Sequence, residues 1–221
     1  MREESPRARG GNFYFDQEDF LRERSGAGGW AYSISRPHTF CDPAIDQPRS
    51  AGLVIAAFAA IQRELGLPLD FPGTAVAFDA RTQFTDLALL ARAAEWMASE
   101  PRCADQAFNV VNGDYPRWSE LWPRFAAWFG LVPGVPRAWS LAEYMRDKGP
   151  VWERVVARHG LRPTQLDTLV LWPYGDYQFR PQWDVVSSMG KARSFGFHER
   201  VDSPAMFVRQ FETYREARII P

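Results

Sequence analysis

The sequence predicts an α/β chain in which helices outnumber strands. Short segments of strand character, Tyr32–Ser35 and Gln106–Val111, end at turn or loop signals. Helical stretches, several of them amphipathic, lie between and after them. About eight helices and three to five short strands can be placed, too few strands in series for a complete doubly wound sheet.

Residues 1–11 are polar and rich in Arg, Pro and Gly, a composition expected to form a flexible segment. Asn12 offers a capping side chain, and Asp16, Glu18 and Asp19 favour a helix start. That helix is expected to run to about Arg24 and to stop at the Gly26–Gly29 cluster. Tyr32-Ser33-Ile34-Ser35 alternates and ends at Arg36-Pro37, a short strand opening into a loop. Residues 37–49, with Pro37, Pro43 and Pro48, show no periodicity and read as that loop. Residues 50–65 are apolar nearly all round, a buried helix. Leu69 to Phe78 reads as two extended pieces around the turn Pro72-Gly73. Thr85-Asp86 caps an amphipathic helix over 87–99.

Gln106 to Val111 is a strand ending at Asn112-Gly113, and 117–129 is an aromatic-rich helix. Trp118, Trp122 and Trp128 fall there at helical spacing and are assigned to the core. Helices over 140–147 and 150–159 join at Gly149-Pro150. The apolar run 166–172 fits strand or helix equally well. Residues 184–194 and 204–216 read as closing helices.

The 221 residues carry a formal net charge of −1, with basic and acidic residues interspersed. That leaves no electrostatic footprint for nucleic acid. Cys41 and Cys103 form neither a disulfide framework nor a CxxC pair, which points to a reducing, cytoplasmic setting. The longest apolar run, Leu53 to Ile61, falls short of the roughly 20 residues of a spanning helix, so no membrane role is expected.

Several chemistries find no support. GxGxxG and Walker A patterns are absent. Gly26-Ala27-Gly28-Gly29 follows a helix, whereas a phosphate loop precedes one, so it reads as a helix stop. His38, His159 and His198 form no zinc spacing, and no metal is expected. His38, beside Cys41 and Asp42, is assigned a surface or packing role.

Tyr14 is the residue that carries chemistry. A phenol at a helix N-terminus is a good donor to a developing oxyanion when its hydroxyl lies in a dry cleft. The alternative is an aromatic anchor within Phe13-Tyr14-Phe15. The segment Asn12-Phe13-Tyr14-Phe15-Asp16-Gln17-Glu18-Asp19 resembles the NFYY-x-x-ED motif of the progesterone 5β-reductase and iridoid synthase family, within the extended short-chain dehydrogenases/reductases. Further resemblances follow in order: Ser35-Arg36-Pro37-His38-Thr39 to the strand end beside the nicotinamide, and Ala107–Asp114 to AFN-x-x-NGD. Asp147–Trp152 resembles KGPVW, Ser188–Phe197 resembles SMNKSKEHGF, and Arg218–Pro221 resembles a KIVP ending. Glu3–Arg7 resembles the stretch preceding the tyrosine motif, so the likeness runs over residues 3–221.

The resemblance implies reduction of the C=C bond of an enone or enal by NADPH, with Tyr14 hydrogen-bonding the carbonyl oxygen. It implies cofactor contacts from Tyr14, Pro37, Thr39, Phe40, Gln47, Pro48 and Arg49, and a substrate pocket lined by Tyr174. Arg49 is equally readable as a solvated loop residue. The fold it implies is the C-terminal part of an extended short-chain dehydrogenase Rossmann fold with its mainly helical substrate-binding lobe. Residues 1–11 would be a flexible segment and residues 12–221 the catalytic and substrate-binding part. The nucleotide-binding half, about 150 residues in such a unit, has no counterpart in the sequence. The general short-chain pattern places a lysine four residues after the tyrosine, where this sequence has Glu18. The 221 residues are therefore expected to be inactive alone. Two other readings stay open: an epimerase or dehydratase on the same fold, and a non-catalytic remnant that homodimerises.

Overall fold

A computed structural model describes residues 1–7 and 9–221. Helix α1 (Phe13–Gly28) is followed by strands β1 (Ser33–Arg36) and β2 (Thr39–Cys41) and by α2 (Ala51–Glu64). Then come β3 (Leu69–Phe71), α3 (Ala75–Asp79), β4 (Phe84–Asp86), α4 (Leu87–Ser99) and β5 (Gln106–Asn109). The remainder is α5 (Trp118–Trp128), β6 (Pro133–Pro136), α6 (Leu141–Met145), α7 (Gly149–His159), α8 (Leu166–Leu169), α9 (Trp172–Phe179), α10 (Gly190–Ser194) and α11 (Ser203–Glu216).

The strands form three parallel pairs, β1 with β5, β2 with β4 and β3 with β6. In the first, Ser33 to Arg36 stand opposite Gln106 to Asn109 in register. The first two pairs are laced together where the chain just past β5 runs beside β4. The Thr85 hydroxyl donates to the Val110 carbonyl at 2.9 Å, and the Asn112 amide N–H donates to Phe84 O at 2.8 Å.

The core centres on α2, buried on every side from Ala51 to Gln62 and packed against α7, α9 and α11. In the same core Phe71, Trp118, Trp122 and Phe179 meet mostly edge to face, with ring centroids 5.1 to 6.1 Å apart. Trp118 and Trp122 are core as expected, and Trp128 is half-buried at the edge. A smaller cluster under α4 joins Leu89, Met97, Phe108, Val111 and Phe197.

Helix α1 begins as the sequence indicates, the Asn12 side chain accepting from the Tyr14 amide, and closes on Gly29 in the left-handed region at φ 66°. It extends past Arg24 to Gly28 because that single glycine, rather than the whole cluster, supplies the stop. Asp86 caps α4 by accepting from Ala88 and Leu89.

Four expectations are corrected. Segment 37–49 contains β2, which pairs with β4 and draws its order from that neighbour rather than from local periodicity. The second extended piece within 69–78 is instead α3, started by the Thr74 hydroxyl accepting from the Ala77 amide. Pro133-Gly134-Val135-Pro136, not anticipated as a strand, pairs with β3 because Gly134 lets the backbone of Asp70 approach; a Cβ there would lie 2.7 Å from Asp70 N. The expected helix 184–194 is helical only over α10, and the ambiguous run 166–172 resolves into α8 and the start of α9.

Candidate functional site

A cavity of about 1000 Å³ opens past the C-terminal end of β1. Ligand sites on open α/β sheets favour that end of the strands. The first turn of α1 contributes Tyr14, the β1–β2 segment contributes Pro37, His38, Thr39 and Phe40, and the following loop contributes Gln47 and Arg49. Across the cavity α9 presents Tyr174, Tyr177 and Gln178. Seven of the eight residues expected at the site thus line one cavity. Pro48 does not; its carbonyl accepts from the Leu171 amide at 2.9 Å and ties the loop to the start of α9. Two smaller cavities, of about 450 and 480 Å³, lie beside Trp139 and between α4 and α11, and neither includes a residue of that set.

Tyr14 is 61% exposed, its ring 4.1 Å from that of Phe13. The dry cleft expected around its hydroxyl is therefore not formed by these residues alone. The Thr39 hydroxyl donates to Gln178 Oε1 at 2.8 Å, joining the β2 wall to the α9 wall. The Arg49 guanidinium sits 5.9 Å from the Tyr174 ring centre and has no carboxylate partner among the described residues. A free guanidinium fork on a cavity rim suits a phosphate. Burial, the largest effect, pushes the Tyr174 phenol up to about 12, so it stays a hydrogen-bond donor at neutral pH.

His38, expected in a surface or packing role, is half-buried on the cavity wall. Its backbone N–H donates to the Thr85 hydroxyl at 3.1 Å, and its Nε2 lies 2.8 Å from Ser187 Oγ. Ser187 is in turn held by Gln83, which accepts from the Ser187 amide at 2.6 Å. Burial, the largest cause, lowers the His38 pKa and favours the neutral ring. Tyr177 and Gln178 were not singled out from the sequence. They follow Tyr174 by three and four residues, a helical spacing that would have grouped them had 172–179 been read as a helix.

The lower part of α1 is anchored by charge. Glu18, its one buried residue, accepts from Arg36 Nε and Nη2 at 2.9 Å each, and Arg7 and Arg22 lie 3.3 and 3.6 Å away. Arg7 also forks onto Asp19 at 2.7 and 2.8 Å. The Glu3 carboxylate accepts from the Asn109 amide at the end of β5, and the Glu3 carbonyl accepts from Arg36. Among the described residues no three His, Cys, Asp or Glu side chains gather as metal ligands, and no helix is long and apolar enough to cross a membrane.

Parallel strand pairs covered by helices, with a cavity past a strand end, define a Rossmann-type α/β protein. The match to the PRISE-like Rossmann-fold domain runs over residues 2–221, and the chain belongs to that family, the progesterone 5β-reductase/iridoid synthase-like proteins. A short chain dehydrogenase of Penicillium aethiopicum is 34% identical over 239 residues, covering 100% of this chain and 63% of the relative. An (S)-8-oxocitronellyl enol synthase of Nepeta racemosa is 32% identical, covering 100% of this chain and 57% of the relative. The chain thus spans about six-tenths of the length of these curated relatives. Among solved structures, RMD from Pseudomonas aeruginosa complexed with NADPH superposes with a TM-score of 0.57 at 15% identity, over 91% of this chain and 54% of that one. Identity that low shows a shared fold and nothing finer.

Proposed function

We propose that this chain carries the catalytic tyrosine and the substrate pocket of an NAD(P)H-dependent oxidoreductase that reduces the C=C bond of an α,β-unsaturated carbonyl. The observation that carries this reading is the convergence of Tyr14, the β1–β2 segment, Arg49 and Tyr174 on one cavity. Two findings support it: family membership, and a relative whose name is that of an enol synthase.

The cavity fits a nicotinamide cofactor in part. Arg49, without a carboxylate partner among the described residues, offers a guanidinium for a phosphate, and Phe40, half-exposed, offers an apolar face to a flat ring. No glycine-rich phosphate turn occurs in these 221 residues, so the cofactor's pyrophosphate is proposed to be held by residues outside them. When bound, the dihydronicotinamide supplies a hydride to the β-carbon of the substrate.

The chain's own part is polar. The Tyr14 hydroxyl donates to the carbonyl oxygen and strengthens that bond as enolate charge grows there. A proton from water then completes the saturated carbonyl at the α-carbon. Phe15 stands where the family motif has a second tyrosine, so Tyr14 acts alone in the motif. Tyr174, protonated at neutral pH, gives the far wall a donor for a second polar group of the substrate.

The test is enal-dependent NADPH consumption by the intact product of the gene. Tyr14→Phe is expected to lower kcat by about 10²- to 10³-fold, the usual effect of one lost oxyanion donor. The 221 residues alone are expected to show no turnover. An unchanged kcat in the variant would remove Tyr14 from the chemistry.

A further inference from the structure

We propose that the Glu18–Arg36 pair is the positioning element for Tyr14, a clamp between a buried carboxylate and a half-buried guanidinium at the helix position where the general short-chain pattern has a lysine. This rests on the catalytic role proposed for Tyr14.

Tyr14 and Glu18 are four residues apart on α1 and therefore share a face, about one turn or 5.4 Å along the axis. Arg36 is the last residue of β1 and is followed directly by Pro37 and His38, which line the cavity. The fork from Arg36 to Glu18 thus joins the tyrosine-bearing wall to the strand-end wall. The N-terminal residues add a second tie, Glu3 meeting Arg36 and Asn109 while Arg7 forks onto Asp19. Apart from Glu18, the residues of α1 are exposed or half-buried, so apolar packing does not fix where the helix sits. A two-point fork fixes orientation as well as distance, which a lysine's single ammonium does not. Arg7 and Arg22 add charge around Glu18 without this link to the strand.

The experiment uses the intact protein labelled with 3-fluorotyrosine, the Tyr14 resonance being assigned by its loss in Tyr14→Phe. Glu18→Gln is expected to shift and broaden that resonance. It is also expected to lower kcat by on the order of tenfold to a hundredfold, as displaced catalytic groups do, with KM within about twofold. Arg36→Lys, which keeps the charge and loses the fork, is expected to fall between wild type and Arg36→Gln, and it decides the matter should Glu18→Gln fail to fold. Arg22→Gln, which removes a partly exposed charge, should stay within about twofold of wild type. An unmoved fluorine resonance, or a kcat loss equal to the fraction unfolded, would overturn the proposal. If wild type reduces no enal, the proposed activity fails, and the fluorine signal alone decides whether the pair positions Tyr14.

Discussion

Tyr14 and Tyr174, each expected from a contiguous motif-like segment, line the same cavity. His38 was legible as a residue but not in its surroundings. The partners that set it, Thr85 and Ser187, lie 47 and 149 positions away. That environment predicts a pH effect. A histidine whose folded pKa is depressed binds its proton more readily when unfolded. Its contribution to stability is therefore present above the unfolded value near 6.5 and is lost as pH falls from there through the folded value. Thermal melts across that window should show this acid-side loss, and His38→Asn should flatten it. A profile identical to wild type in His38→Asn would show that the ring is not held neutral.

At the scale of elements, those with a local cap, a helical period or a long apolar run were legible: α1, α2, α4, α5, α7 and α11. Those that depend on a distant partner were not. Strand β2 owes its existence to β4, and β6 owes its existence to β3 and the bare Gly134, so neither carries a local pattern. Helix α9 was missed because its eight residues begin within a run that also reads as strand. Its placement rests on Gly175, where a Cβ would lie 2.8 Å from both Leu141 and Val54. Gly175→Ala should cost about 1–3 kcal/mol by overpacking, read as a lower Tm, and should loosen the α9 wall that carries Tyr174 and Gln178. Asp176 ties the same helix to α6, accepting from the Ser140 hydroxyl at 2.8 Å and the Leu141 amide at 2.6 Å. Asp176→Ala is expected to cost about 1–3 kcal/mol and to lower Tm without moving the Tyr14 resonance.

The whole molecule buries one large helical core yet leaves several large apolar side chains exposed. Phe13, Tyr14, Phe20, Trp30, Tyr177 and Trp183 are each between 46% and 66% exposed. Monomers seldom leave contiguous apolar patches above a few hundred Å². The 221 residues alone are expected to bind an apolar dye and to self-associate; a monomeric, cooperative melt without dye binding would contradict this. The fold class was readable from the sequence, but three separate parallel pairs were not, because pairing between strands tens of residues apart leaves no periodic trace.

Hydride addition to a conjugated C=C bond in the Tyr14 cavity, proposed above, is open to direct measurement. The direct measurement is product analysis after incubating the intact protein with an enal and NADPH deuterated at the transferable position of the nicotinamide. The predicted result is deuterium on the β-carbon of a saturated aldehyde, with the yield collapsing in Tyr14→Phe. Deuterium on the carbonyl carbon of an allylic alcohol, or no transfer at all, would contradict it.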